Sequence, residues 1–128
     1  MSFDVERIED AHELLKAVSR AQVHDDFPEP GVFVPLGAGI STSWSKHSTP
    51  QQCREIRSRP HTNHVFALPV GRVRSLSFTV THTPKDWCRA HADISEVERD
   101  PEYQVKLARL AAEAGIRLRA DPPKSNKR

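Results

Sequence analysis

The chain has 128 residues, of which 37% are hydrophobic and 28% are charged. This length suits one domain, and the composition excludes both a membrane-embedded chain and a disordered polyelectrolyte. The net charge of +2 lies in the tail, where residues 119–128 carry four basic side chains against Asp121, so the body lacks the basic excess that is typical of nucleic-acid-binding folds. Nucleic acid is therefore indicated as a partner only weakly, by this tail.

Neither membrane contact nor secretion is expected. No run approaches the roughly 20 apolar residues that cross a bilayer, and residues 1–6 lack the basic flank and apolar core of a signal peptide. Cys53 and Cys88 are too few for a disulfide framework, and we expect both to be reduced thiols. These features predict a cytoplasmic protein.

The first third of the chain predicts strand, helix and strand. Residues 3–8 alternate apolar and polar, which favours a first strand ending in Glu6 and Arg7. Asp10 and Glu13 have capping-box spacing before an apolar stripe at helical spacing, so a helix is predicted over about residues 11–22. A loop over residues 24–31 and a second strand over residues 32–36 follow.

The remaining elements are predicted from capping signals and alternating patterns. Residues 40–44 favour a strand, and Thr49-Pro50 followed by Gln52 begins a short helix that runs through about Arg57. Two central strands are predicted over residues 64–69 and 76–82, and an edge strand over residues 91–94. A helix from Pro101 to Gly115 precedes a tail, residues 119–128, that we expect to be disordered.

These elements predict the α+β class. We expect a single domain over residues 1–118, with a mostly antiparallel central sheet of five or six short strands. Two longer helices and one short helix should pack on this sheet. The apolar stripes of the longer helices would face it, through Leu14, Leu15, Val18, Leu107 and Leu110.

Four residues of metal-ligand type lie within one short stretch. His82, Cys88, His91 and Asp93 span twelve residues, and the two-residue gap between Cys88 and His91 would suit one zinc ion. No second paired-ligand unit accompanies them. The alternative is a set of surface histidines with a buried structural thiol.

The histidines also fit acid–base chemistry without a metal. Two imidazoles facing one pocket supply a base and an acid near neutral pH, which is sufficient for cleavage of an RNA phosphodiester. The candidates are His64, His82 and His91, with Arg72 or Arg74 to neutralise the phosphate. This hypothesis predicts a His-based transferase or nuclease that acts on a nucleotide-type substrate.

A third constellation consists of Arg7, the tripeptide Ser41-Thr42-Ser43 and the later Glu96-Val97-Glu98. An arginine at the end of a first strand, a Ser-Thr-Ser strand followed by a helix, and a Glu-x-Glu sequence resemble the arrangement of the ADP-ribosyltransferase family. That family holds NAD in a split sheet. The resemblance implies NAD as the cofactor and a transferase as the activity.

The same resemblance implies a role for each of these residues. Arg7 would contact the dinucleotide phosphates, Ser41 or Ser43 would steady the nicotinamide ribose beside Thr42, and Glu98 would stabilise the developing oxocarbenium ion. His91 would instead occupy the last catalytic strand if the chain is similar to the related transferases that remove a phosphate from tRNA. Each version requires its residues to converge on one concave pocket.

A non-catalytic function fits the same residues. Ser-Thr-Ser is common at strand edges, and glutamates at a helix start favour the helix dipole. Residues 40–54, 65–76 and 91–94 also resemble small uncharacterised bacterial proteins associated with toxin or defence genes. This alternative predicts a protein-binding module of a toxin–antitoxin or defence operon, with an exposed apolar patch or sheet edge that would also suit a homodimer.

Overall fold

The computed structural model describes residues 3–35, 39–97 and 101–122. The strands of this part of the chain are β1 Glu13–Ser19, β2 Val23–His24, β3 Phe27–Pro28, β4 Ile40–Trp44, β5 Asn63–Pro69, β6 Thr79–His82, β7 His91–Ser95 and β8 Ile116–Leu118. Its α-helices are α1 Pro50–Glu55, α2 Val70–Ser75 and α3 Pro101–Ala114, and short 3₁₀ turns cover Arg20–Gln22, Pro30–Phe33 and Pro60–Thr62. No helix among these residues is long and apolar enough to cross a membrane.

Six strands form one antiparallel sheet in the order β6-β7-β4-β1-β5-β8, and β2 and β3 form a separate two-stranded ribbon. The α+β class with a mostly antiparallel sheet is therefore confirmed. The main core lies on one face, where α3 packs against the sheet, and a smaller core lies under α1 on the other face. The strand β1 lies near the centre and pairs with β5 along its whole length.

The helix predicted over residues 11–22 is wrong, because most of that segment forms β1. All residues from Leu14 to Val18 are buried. Leu14 and Val18 pack into the main core, whereas Leu15 and Ala17 pack into the smaller one. A strand buried on both faces loses the polar alternation that identifies strands, and its leucines fall by chance at helical spacing. The sheet therefore carries one long helix, α3, rather than two.

Three other predictions near the N-terminus and the sheet edge are corrected. Residues 3–9 form no strand; this segment is held by the main-chain N–H of Glu6, which donates to Nδ1 of His82, and by burial of Ile8. The predicted strand at residues 32–36 is replaced by the turn Pro30–Phe33, which buries Phe33; residue 36 lies outside the described residues. The strand β7 is interior, because β6 covers its outer side.

Elements with explicit start and stop signals are confirmed. The helix α1 begins with the capping box of Thr49 and Gln52, and α3 ends before Gly115, whose φ of 95° suits glycine. The strands β4, β5 and β7 lie where they are predicted, and β6 begins three residues later than predicted, at Thr79.

The C-terminal segment contacts the body beyond residue 118. Arg119 forms a bidentate ion pair with Asp26, and the main-chain N–H of Ala120 donates to Nδ1 of His64. The Oδ1 atom of Asp121 lies 3.3 Å from Nη1 of Arg54. Residues 119–121 therefore contact the folded body, and residues 123–128 of the predicted disordered tail lie outside the described residues.

Candidate functional site

A gap opens in the sheet between β1 and β4. Leu14 pairs with Trp44 and Leu15 pairs with Ser43, after which the register of these two strands contains no further pair among the described residues. At the next position, Nζ of Lys16 donates to the main-chain oxygen of Ser41 at 3.2 Å. A lysine side chain thus occupies the place of a ladder hydrogen bond, and the two strands separate around it.

Three cavities adjoin this gap and share Lys16 and Arg57 in their walls. The largest, about 360 Å³, extends towards the ends of β1 and β5, the second, about 200 Å³, lies against Gly31 and Gly39, and the third, about 30 Å³, lies under α1. We call the three together the cleft. No aspartate or glutamate is among the described residues that line it.

Lys16 is an unusual residue for a central strand because only 8% of its surface is exposed. Burial, assisted by the positive charge of Arg57, lowers the pKa of Lys16 from 10.5 to about 8. At pH 7 the amine is still mostly protonated, and no carboxylate within the described ranges pairs with Lys16 or Arg57. A buried cation without a counter-ion is costly, so an anion entering the cleft would relieve that cost.

Ser41 and His91 form a hydrogen-bonded pair at the mouth of the cleft. Nδ1 of His91 lies 3.0 Å from the main-chain oxygen of Thr83, and its Nε2 lies 3.2 Å from Oγ of Ser41. Nδ1 also lies 3.0 Å from the hydroxyl of Thr83, which can either donate or accept. In the tautomer whose Nδ1 donates to the carbonyl oxygen, Nε2 is left to accept from the serine hydroxyl. Ser41 is exposed, so the cleft presents an oriented base beside an accessible hydroxyl.

The other two residues of the tripeptide differ in position. Ser43 is buried under α1 and lines the smallest cavity together with Cys53. Burial raises the pKa of the Cys53 thiol, which makes it a poor nucleophile. Thr42 is buried, and its hydroxyl donates to the main-chain oxygen of Ala92 at 2.8 Å. It also contributes to the wall of the smallest cavity, with its hydroxyl already bonded to Ala92.

Two apolar side chains stand exposed beside His91. Trp87 is 68% exposed, and its ring centroid lies 6.1 Å from that of His91. With Ile56 and Ser43 it lines a further cavity of about 200 Å³ on the other side of α1. An exposed indole next to a phosphate-sized cationic cleft is suited to stacking against a base.

Comparison with protein families, characterised proteins and solved structures finds no match to this chain. The candidate site therefore rests on its own geometry.

The three parts of the Arg7, Ser-Thr-Ser and Glu-x-Glu constellation do not meet in one pocket. Arg7 is exposed, lines no described cavity and makes no side-chain hydrogen bond or ion pair with the described residues. Glu98 lies outside the described residues, and Glu96 accepts from the Thr79 hydroxyl at the sheet edge. Of the described residues of this constellation, those of the serine strand alone border the cleft, and the cations that line it are Lys16 and Arg57.

The predicted metal set is not assembled. His82 is 1% exposed and uses both ring nitrogens on main-chain groups, since Nδ1 accepts from Glu6 and Nε2 donates to Arg89. His91 is committed to Thr83 and Ser41, and the described part of the chain contains no group of three or more metal-ligating side chains. Cys88 and Asp93 therefore do not form a shared metal site with these histidines.

The alternative histidine set is also separated. His64 lies on β5, and the strands β1 and β4 stand between it and His91 on β7. Arg72 pairs with Glu113, and Arg74 pairs with Asp10, so neither arginine faces His91. Of the three predicted histidines, His91 alone lines the cleft.

Lys16 and Arg57 were missed by the sequence analysis. A helix over residues 11–22 would place Lys16 on a solvated face, where a lysine is common and does not indicate a function. As part of the apolar run Leu14-Leu15-Lys16-Ala17-Val18 in a buried strand, the same residue is an exception that points to function.

A second charged cluster, centred on Glu6, fixes the N-terminal segment rather than the cleft. Its carboxylate lies 2.6 Å from both Nζ of Lys46 and Nε2 of His47, and 3.4 Å from Arg89. The hydrogen bond from Lys46, followed by that from His47, lowers the pKa of Glu6 to about 2. The cluster therefore contributes to stability while Glu6 is ionised.

Replacing Glu6 by glutamine should reduce stability in a pH-dependent way. The folded-state pKa of Glu6 is depressed from 4.5 to about 2, so its contribution is complete above pH 4.5 and is lost as the pH falls towards 2. We expect the difference in unfolding free energy between wild type and Glu6→Gln, measured in urea, to shrink as the pH falls from 4.5 towards 2. A difference that stays the same down to pH 3 would contradict this assignment.

Proposed function

We propose that this domain is a His-based enzyme that cleaves a phosphodiester in an RNA-type substrate, with the phosphate bound in the cleft. The observation that carries the proposal is the position of Ser41. Its main-chain oxygen accepts from Lys16 and its hydroxyl donates to His91. A cation and an oriented base therefore lie on either side of one exposed residue, as phosphoryl transfer requires.

Lys16 and Arg57 hold the phosphate in this mechanism. Guanidinium can bind two phosphate oxygens at once, and a buried ammonium adds a strong charge-assisted hydrogen bond. No acidic side chain is among the described residues that line the cleft, so its walls carry a net positive charge. These two residues would stabilise the charge that builds up on the phosphoryl oxygens.

His91 and Lys16 move the protons. The substrate's 2′-hydroxyl takes the place that the Ser41 hydroxyl occupies in the free protein, and Nε2 of His91 accepts its proton as the oxygen attacks phosphorus. The bond from phosphorus to the 5′-oxygen breaks, and the protonated Nζ of Lys16 gives that oxygen a proton. The products are a 2′,3′-cyclic phosphate and a 5′-hydroxyl, and water returns the proton from His91 to Lys16.

A second candidate is transfer of ADP-ribose, and the gap in the sheet favours it. The resemblance to ADP-ribosyltransferases implies that NAD lies in a split sheet, and β1 and β4 separate after two pairs. Asp93 is directly cross-strand from Ser41 and would supply the carboxylate near the ribose. Arg57 would then hold the pyrophosphate, and NAD rather than RNA would be consumed.

Substitution of Trp87 separates the contribution of the base to binding from that of the phosphate. Stacking of a base on an aromatic ring contributes about 1–3 kcal/mol, so Trp87→Leu should weaken AMP binding by roughly fivefold to a hundredfold. Inorganic phosphate makes no stacking contact, and its affinity should not change. Isothermal titration of both ligands into wild type and Trp87→Leu provides the comparison.

Isothermal titration of AMP, phosphate, NAD and a 2′-deoxy oligonucleotide discriminates among the functions. Binding of AMP and phosphate by wild type, with only AMP weakened in the variant, supports the nucleotide site. If wild type binds neither ligand nor NAD, the catalytic proposals are refuted in favour of the protein-binding module. Tighter binding of NAD than of a 2′-deoxy oligonucleotide would favour ADP-ribose transfer.

A further inference from the structure

We propose that the 360 Å³ cavity of the cleft is a second phosphate subsite, formed by Arg57, Arg59 and Asn63, so that the substrate carries at least two phosphates. This inference rests on the proposed function for the first phosphate, which lies over Lys16 beside His91. It adds the substrate class: a nucleotide with two phosphates, joined either directly or through the sugar.

Asn63 is the first observation that points to a ligand. It is the first residue of β5 and lines the cavity, and only 6% of its surface is exposed. Its Nδ2 is buried and has no hydrogen-bond partner among the described residues. Native proteins rarely leave a buried amide donor unsatisfied, and an unpaired one requires an explanation such as a missing ligand. A phosphate oxygen is an acceptor that would satisfy it.

Unpaired positive charge is the second observation. Arg57 and Arg59 both line the cavity, and no carboxylate in the described ranges forms an ion pair with either. Four hydroxyl or amide side chains complete the polar wall, namely Ser19, Gln22, Ser58 and Thr62. Surface arginines of this protein are otherwise paired in several places, for example Arg119 with Asp26 and Arg117 with Glu13. The concentration of unpaired positive charge on one concave wall therefore favours an anion.

The backbone of Arg59 fixes this wall. Arg59 has a φ of 51°, in the left-handed region that few residues other than glycine and asparagine adopt. It stands directly before the turn Pro60–Thr62, and its main-chain oxygen accepts from both the N–H and the hydroxyl of Thr62. The guanidinium is thus carried by a defined turn next to Asn63.

The two subsites are adjacent because they share two cationic side chains. Lys16 and Arg57 line both the large cavity and the small cavity that contains Ser41 and His91. A volume of about 360 Å³ is within the range of small-molecule pockets, which begins near 300 Å³. A phosphate beside Asn63 would therefore be continuous with one placed at Ser41, and both would share the charge of Lys16 and Arg57.

The test compares one phosphate with two. Isothermal titration of AMP, ADP and the uncleavable 5′-phosphorylated deoxydinucleotide pdApdA measures the gain from the second phosphate. We expect ADP or pdApdA to bind wild type at least tenfold more tightly than AMP, since charge-assisted hydrogen bonds are the strong ones. The ADP arm identifies directly joined phosphates, and the pdApdA arm identifies phosphates joined through the sugar.

Arg59→Asn removes the charge and keeps a residue that tolerates the left-handed backbone. It should abolish the gain from the second phosphate while AMP affinity stays within about twofold. Asn63→Leu should also reduce the gain. The matched control is Arg109→Gln, which removes one charge from the exposed face of α3 outside the cleft and should leave the gain unchanged.

The outcomes separate the two proposals. If AMP binds but neither ADP nor pdApdA binds more tightly, the second subsite is refuted and the proposed function stands. Equal loss of AMP and ADP in Arg59→Asn would also refute the subsite. Binding of inorganic pyrophosphate that depends on Arg59, without binding of AMP, would support the subsite and refute the proposed function. If nothing binds, both fail.

Discussion

Replacing His91 by asparagine is expected to lower the rate of RNA cleavage by about 10²–10⁴-fold, the usual contribution of a general base. The amide of asparagine can still donate to the main-chain oxygen of Thr83, as Nδ1 of His91 does. It cannot accept a proton from the attacking hydroxyl. The loss should therefore appear in kcat, with little change in the affinity for an uncleavable 2′-deoxy strand, because Lys16 and Arg57 still bind the phosphate.

The matched control for this substitution is His24→Asn. His24 is exposed, pairs with Glu29 and lies in β2, outside the cleft. It should keep full activity. Cleavage of a 5′-labelled oligoribonucleotide, with the unfolding free energy of each variant as a check on folding, provides the measurement. Activity retained in a folded His91→Asn protein would exclude His91 as the base.

Replacing Lys16 by methionine is expected to stabilise the free protein while it removes phosphate binding. The pKa of Lys16 falls from 10.5 in an ordinary lysine to about 8, so keeping the buried amine charged costs about 3 kcal/mol at pH 7. Loss of the hydrogen bond from Lys16 to Ser41 offsets about 1 kcal/mol of the free energy that the variant gains by removing the buried charge. We expect a net gain of about 2 kcal/mol in unfolding free energy at pH 7.

The pH dependence of this gain gives its sign an independent check. The folded state holds the Lys16 proton less tightly than the unfolded state, so the penalty is complete below pH 8. It disappears as the pH rises from 8 to 10.5. The advantage of Lys16→Met should therefore narrow over that interval. Affinity for AMP should fall by at least tenfold, because a charge-assisted hydrogen bond is lost.

Lys106→Met is the control for the lysine substitution. Lys106 is exposed on α3 and pairs with Glu102. The same change in side chain should there alter stability by less than about 0.5 kcal/mol and leave AMP binding intact. A Lys16→Met protein that is less stable than wild type at pH 7, or that binds AMP as wild type does, would contradict the account of Lys16.

Local signals allowed much of the fold to be predicted. Thr49 with Gln52 and Pro50, and Pro101 with Gly115, are short-range start and stop patterns, and the helices they predict are present. The prediction failed for the segment that forms β1, because its leucines fit a helical stripe equally well. Only the neighbouring strands β4 and β5, supplied by residues far along the chain, make it a strand.

The candidate site was predictable in its residue types and not in its assembly. Ser41, Ser43 and His91 could be selected because hydroxyl and imidazole groups stand out on predicted strands. That Ser43 lies cross-strand from His91 depends on a register between strands about fifty residues apart, which no local pattern encodes. For the same reason, Arg57 could not be selected as a residue of the cleft. The cation that lines the cleft with Lys16 lies just beyond α1, and tertiary packing alone brings it there.

The pKa of Lys16 is the most direct test of the claim that this buried cation binds a phosphate. It can be measured by NMR titration of the labelled side-chain amine, with and without saturating AMP. Because the bound anion stabilises the charged amine, the pKa should rise from about 8 towards 10.5 when AMP is present. A Lys16 pKa that AMP leaves unchanged would contradict the assignment of the cleft as a phosphate site.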